Sequence, residues 1–163
     1  MKRLIPILLL MPAVLAACSP MSSEARQQSS PAAAPSRHPT SGLEVIPLTI
    51  TSTKGRHAFR VEVARTAAEQ AKGLMFRTAM GADEGMLFPR NPPDRASFWM
   101  RNTVIPLDLV FIAPDRRILN IAANAVPYDE TSLSSAGPVI AVLELNGGRA
   151  AQLGIAPGDK VDW

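Results

Sequence analysis

The chain has 163 residues, which suits one modest domain with extensions. Its 17 Lys and Arg outnumber 14 Asp and Glu, but Lys2, Arg3, Arg26 and Arg37 all precede Leu43, and from there on 13 basic residues face 13 acidic ones. That balance excludes the basic surface that nucleic acid or an anionic membrane demands, so no nucleic-acid partner is expected.

Residues 1–17 read as an export signal. Lys2 and Arg3 supply the charge, and residues 4–14 form an apolar core of 11 residues. A helix that spans a bilayer needs roughly 20. Leu15-Ala16-Ala17-Cys18 then resembles the lipobox of bacterial lipoproteins, in which the Cys is acylated and becomes the new N-terminus. Lipidation accounts for both the position and the solitude of Cys18, the one cysteine present. The expected location is the bacterial cell envelope, lipid-anchored and facing the periplasm. Ser19 rather than Asp after the Cys favours the outer membrane, if the sorting habit of enteric bacteria applies. Residues 18–42, the Cys and a stretch rich in Ser, Ala, Pro and Gln, read as a flexible tether that includes His38. Residues 43–163 are expected to form a single globular domain.

Within that domain, residues 44–51 (EVIPLTIT) read as a strand, with Pro47 arguing for an edge. Lys54-Gly55 makes a turn, and residues 57–64 (HAFRVEVA) alternate so that Phe59, Val61 and Val63 point one way, which completes a hairpin. Thr66-Ala67-Ala68-Glu69 is a capping box opening a helix that Gly73 ends. Residues 89–93 form a polar, Pro-rich loop before residues 97–112 (SFWMRNTVIPLDLVFI), the most specific stretch of the chain.

In that stretch residues 97–101 read as an aromatic-rich strand, and Asn102-Thr103 as a turn. The apolar run from Leu107 to Ile112 predicts a strand covered on both faces. Asp108 lies inside the run, where an isolated carboxylate is too costly to leave unpartnered. Residues 117–123 return as a strand, residues 126–135 show no period and read as a surface loop, and residues 139–145 (VIAVLEL) form another buried strand. Asn146 is placed to cap a short helix through Leu153 that Gly154 ends, and residues 155–163 close the chain on a last strand. The fold class expected is mostly β (α+β): a partly closed, barrel-like antiparallel sheet with two short peripheral helices.

Five motifs occur in a fixed order: Gly73-Leu74-Met75-Phe76-Arg77, Gly85-Met86-Leu87-Phe88, Phe98-Trp99-Met100-Arg101-Asn102-Thr103, Pro106-Leu107-Asp108, and Leu143-Glu144-Leu145-Asn146-Gly147-Gly148. Together they resemble domain-of-unknown-function family 192 over about residues 45–163. The resemblance implies a small, mostly β domain, often exported or lipid-anchored in bacteria and archaea, and no established activity comes with it.

The residues themselves exclude several chemistries. Cys18 is committed to lipid and His57 is the one His of the expected domain, so no Cys–His nucleophile, zinc cluster or cofactor is expected. Gly147-Gly148 lacks the Lys and Ser or Thr of a phosphate loop. A ligand cleft lined by Arg77, Trp99, Asn102, Asp108 and Glu144 is the leading expectation, in a membrane-anchored binding or accessory domain without a reaction of its own. Its ligand would be a small molecule, a glycan or a protein. Beside it stand the structural reading, with Asp108 and Glu144 in a hydrogen-bond network and Trp99 in the core, and two other functions. One is a glycan hydrolase that splits acid and base roles between Asp108 and Glu144. The other is Cu(I) handling by Met75, Met80, Met86 and Met100, for which core packing is the ordinary alternative.

Overall fold

A computed structural model describes residues 36–163, so the signal sequence, Cys18 and most of the tether lie outside the described residues. Twelve elements follow one another: β1 (Ser36–Arg37), β2 (Glu44–Ser52), β3 (Gly55–Val63), α1 (Ala67–Lys72), β4 (Glu84–Asp94), β5 (Ser97–Phe98), β6 (Leu107–Ile112), β7 (Ile118–Ala125), β8 (Leu133–Ser134), β9 (Val139–Asn146), α2 (Arg149–Leu153) and β10 (Lys160–Asp162).

Local chemistry accounts for the first half. The β2–β3 hairpin closes at Ser52 and Gly55, and its alternation buries Phe59, Val61 and Val63 as their spacing predicts. Pro47 cannot donate to a ladder, and it meets no partner on its outer side. There β1 pairs with Glu44 and Val45, β10 pairs with Thr49 to Thr51, and Pro47 falls in the gap between them. Thr66 and Glu69 form the capping box, with Thr66 Oγ1 accepting from the Glu69 amide at 3.2 Å and Glu69 Oε2 from the Thr66 amide at 2.7 Å. The Thr66 amide, and after it the Arg65 amide, donate to the Glu69 carboxyl and hold it below its ordinary pKa.

The main sheet runs β1-β2-β3-β4-β9-β6-β7, with β10 also paired to β2. Its pairs are antiparallel except β3 with β4, which α1 connects. The sheet is not closed into a barrel: β10 reaches the far edge through one bridge, Arg117 to Lys160. The central strands are covered on both faces, which is why they read as near-continuous apolar runs. Leu87, Val110, Ile112, Leu143 and Leu145 pack in one core cluster, whereas Met86, Phe88, Leu109, Phe111 and Val142 pack in a second on the other face.

Four expectations need correction. The expected tether of residues 18–42 ends earlier, because β1 pairs with β2 and His38 and Gly42 close a turn in which the Gly42 amide donates to the His38 carbonyl at 2.8 Å. The strand of residues 97–101 stops after Phe98, because the Met100 amide turns to the Asp129 carbonyl at 2.8 Å and leaves the ladder to β8. Residues 126–135 are therefore not only a surface loop; they hold β8 and the buried Ser135. Asn146 does not cap α2 either: its Nδ2 donates to the Met80 and Gly81 carbonyls, and Gly148 occupies the cap position.

Candidate functional site

The acids show what each face of the sheet does. In the β6–β9 register Asp108 lies opposite Leu145, and Glu144 lies opposite Leu109. Side chains alternate along a strand, so Asp108 belongs to the face of Leu145 and Glu144 to the face of Leu109. The sheet separates the two carboxyls, and they cannot flank one bond.

Asp108 is fully buried, with both oxygens occupied. Oδ1 accepts from the backbone amides of Asn124 at 2.7 Å and Gly148 at 2.9 Å, and Oδ2 accepts from Ala150 at 2.8 Å. Gly148 is the N-cap of α2 and has no side chain to offer, so Asp108 supplies the cap from another strand. The adjacent Gly147 admits no side chain: a Cβ there would stand 2.6 Å from Asn124 Oδ1 and 2.8 Å from Pro106 Cβ. Asp108 thus ties β6, β7 and α2 together by backbone donors.

Arg77 is also engaged inside the fold. It makes a two-pronged pair with Glu62, Nη1 to Oε1 at 2.9 Å and Nη2 to Oε2 at 3.1 Å, with both side chains largely buried. Ser41 donates to the same carboxylate, and His38 Nδ1 lies 3.7 Å from it. Glu62 and His38 are the residues that sequence reasoning missed here. The Glu62 side chain looks outward by alternation, but residues 36–42 fold over that face.

Glu144 has no such partners. The residue is only 6 % exposed, and no hydrogen bond or ion pair among the described residues reaches its carboxyl, whose oxygens are not sealed from solvent. Burial pushes that carboxyl from 4.5 up to about 8, so it is mostly protonated at neutral pH and can donate as well as accept. It lies at a cleft of about 220 Å³ between the end of α1, the Leu74-Met75 segment, β4 and residues 97–103. Trp99 lines this cleft and is 47 % exposed, so it is not a core residue. The Arg101 guanidinium lies 3.8 Å from the centre of the Trp99 ring and is held by Glu130 at 2.9 and 2.6 Å. Phe98 stands edge-on to Phe88 with centroids 5.1 Å apart. Thr103 and Arg90 complete the wall.

Of the expected site residues, the structure brings together Trp99 and Glu144. Asn102 sits next to the cleft in a left-handed turn (φ 55°), where its carbonyl accepts from the Phe76 amide at 2.8 Å and its side chain reaches the Met75 sulfur at 3.8 Å. Arg77 and Asp108 lie elsewhere. A larger groove of about 420 Å³ runs on the other side of Gly73 and Met75, against Ser41, Phe76 and Arg77. Its Arg77 is already paired and its Glu69 is committed to the helix cap, so Lys72, which also lines the Glu144 cleft, is the charged group it leaves to a ligand. Met86 and Met100 are buried in the second core cluster, with Met80 packed against it. Among the described residues no three His, Cys, Asp or Glu side chains gather as a metal site would require.

Comparisons with known proteins give a family and no established activity. A protein of unknown function from Novosphingobium aromaticivorans DSM 12444 has a crystal structure to which this chain is 70 % identical, with 81 % of this chain and 94 % of that one covered at a TM-score of 0.79. A "putative transcription regulator" from Sinorhizobium meliloti 1021 is 39 % identical, with 74 % and 94 % covered at a TM-score of 0.71. No curated protein matches. Residues 49–163 match the family described as DUF192, Uncharacterized ACR, and the chain belongs to that family.

Proposed function

We propose that this chain is a lipid-anchored binding or accessory domain of the bacterial cell envelope, which takes a small ligand in the Glu144 cleft and carries no reaction of its own. One observation carries the binding half: a buried carboxyl with no partner lies against an open cleft beside a half-exposed Trp99. The carboxyl reaches solvent through the cleft, and a ligand entering there would pair it while displacing water. The flat Trp99 ring suits a sugar or another ligand with one apolar face. The anchoring half rests on the lipobox-like residues ending at Cys18. A hydrolase that shares its chemistry between Asp108 and Glu144 has no support in the geometry, since the sheet stands between them. The regulator description of the Sinorhizobium relative is not carried over, because the domain's balanced charge offers nucleic acid nothing to bind.

The binding half is tested by a thermal-shift screen of the full chain in detergent against envelope sugars, peptidoglycan fragments, amino acids and nucleotides. A ligand at 100 times its Kd adds about 2.7 kcal/mol, which should raise Tm by roughly 10 °C. The shift should disappear in Trp99→Ala; a blank panel, or hits that all survive this change, would sink the reading. For the anchor, Cys18→Ala should abolish acyl labelling and release the protein from membranes. Labelling that persists in this variant would exclude Cys18 as the lipid site.

A further inference from the structure

We infer that the Glu144 cleft takes a small organic anion, whose carboxylate or phosphate is drawn by Arg90 and Lys72 and accepts a hydrogen bond from the Glu144 carboxyl. The inference rests on the binding reading above and adds the charge of the ligand to it.

Three cations line the cleft: Lys72 at the end of α1, Arg90 on β4, and Arg101. Arg101 is neutralised by Glu130. Neither Lys72 nor Arg90 has an ion-pair partner among the described residues. Arg90 is the more telling of the two: its Nε is enclosed by protein, and its Nη atoms, which make no hydrogen bond among the described residues, are the donors left open to a ligand. Its guanidinium stands 6.0 Å from the centre of the Phe98 ring, at the outer limit of a cation–π contact. An anionic oxygen is the acceptor that suits open guanidinium donors best.

Among the described residues, Glu144 is the only acid lining this cleft. Its neighbours across the strands are uncharged, Met86 on β4 and Leu109 on β6, and burial alone, not a nearby charge, shifts its carboxyl. A cationic ligand would meet the positive charges of the cleft with a mostly neutral acid as its counterion. An anion meets complementary charge, and the protonated carboxyl offers it an O–H donor, a short and strong pairing. Size narrows the class further. At about 220 Å³ the cleft is smaller than the roughly 300 Å³ at which drug-sized sites begin, so it admits one ring or one residue of a longer chain.

The test is calorimetric titration of the full chain in detergent with matched probes: glucuronate, glucose 6-phosphate and neutral glucose, then N-acetylmuramate and neutral N-acetylglucosamine. At pH 6 at least one acidic probe should bind about 10-fold or more tightly than its neutral counterpart, and Arg90→Gln should remove about 10-fold of that affinity. The uronate and phosphate arms tell which anion is preferred. Between pH 6 and pH 9.5 wild-type affinity should fall about 10-fold or more as Glu144 loses its proton. Glu144→Gln should hold its affinity over the same range, because its amide donates at either pH. Equal binding of acidic and neutral probes, or acidic binding indifferent to Arg90→Gln, would overturn the inference and leave the cleft as a binding site. No binding by any probe would also overturn it, and the broader thermal-shift panel then decides the binding reading on its own.

Discussion

Glu144→Gln should leave stability nearly unchanged at pH 4 and make the protein substantially more stable at pH 9. The Glu144 carboxyl titrates at about 8 when folded and near 4.5 when unfolded, and burial alone accounts for the difference. A folded-state pKa raised above the unfolded one means that the folded state holds the proton more tightly. Its contribution is fully favourable below pH 4.5 and is lost as pH rises through about 8. Over that window each pH unit removes about 1.4 kcal/mol. Because the cleft lets water near the carboxyl, the total should come to roughly 3–5 kcal/mol rather than more. Gln has the shape of the protonated acid and no charge to bury, so its stability should be flat across the window. Denaturant unfolding of both proteins from pH 4 to pH 9 reads this directly, and Tm at pH 9 should differ by roughly 10–20 °C. Parallel curves would mean that Glu144 already has a partner, which would remove the main support for the cleft as a ligand site. A residue that costs this much stability at alkaline pH, where Gln would serve better, is more economically explained by binding than by folding.

The hairpin of β2 and β3 and the capping box of α1 were legible because their signals are local: alternation over nine residues, and a Thr and a Glu three apart. The apolar run of β6 likewise announced a strand buried on both faces. Partners were not legible where sequence separation is large. Asp108 could be recognised as a buried acid, but its donors lie 16, 40 and 42 residues away. Whether Asp108 and Glu144 share a site turns on one residue of register between β6 and β9, which no pattern in either strand specifies. Trp99 reads as a strand residue, and hence as core, until the Met100 amide is seen to leave the ladder for Asp129. Residues 36–42 were hidden by composition, since Ser and Pro suggest a tether. Their structure comes from the partners that β2 and Glu62 provide. Arg90 was concealed in the same way, inside a Pro-rich stretch that continues as part of β4.

Asp108→Ala should cost roughly 3–5 kcal/mol, a large fraction of the 5–15 kcal/mol that holds a domain of this size together. The side chain is fully buried and receives three backbone donors from two separate segments. Removing it strands the Ala150 amide, which is buried, and weakens the hold on Asn124 and Gly148, which are exposed enough to find water in its place. Each donor left unmade inside the fold costs about 1–3 kcal/mol, and loss of a helix cap about 1. The five-residue α2 is too short to persist by propensity, so its end should fray first and expose Ala150 and Ile155 of the first core cluster. Asp108→Asn is the graded control. Its single carbonyl oxygen can keep the Asn124 and Gly148 bonds, while its amide nitrogen faces the Ala150 N–H donor to donor, for a smaller loss of roughly 1–3 kcal/mol. Chemical denaturation should rank wild type above Asp108→Asn above Asp108→Ala, and hydrogen exchange should show the Ala150 amide losing protection first in both variants. The outcome that would refute the clamp is an Asp108→Ala protein within about 1 kcal/mol of wild type. It would return Asp108 to the list of residues kept for a ligand, since a buried carboxylate that does not stabilise the fold needs another reason to be there.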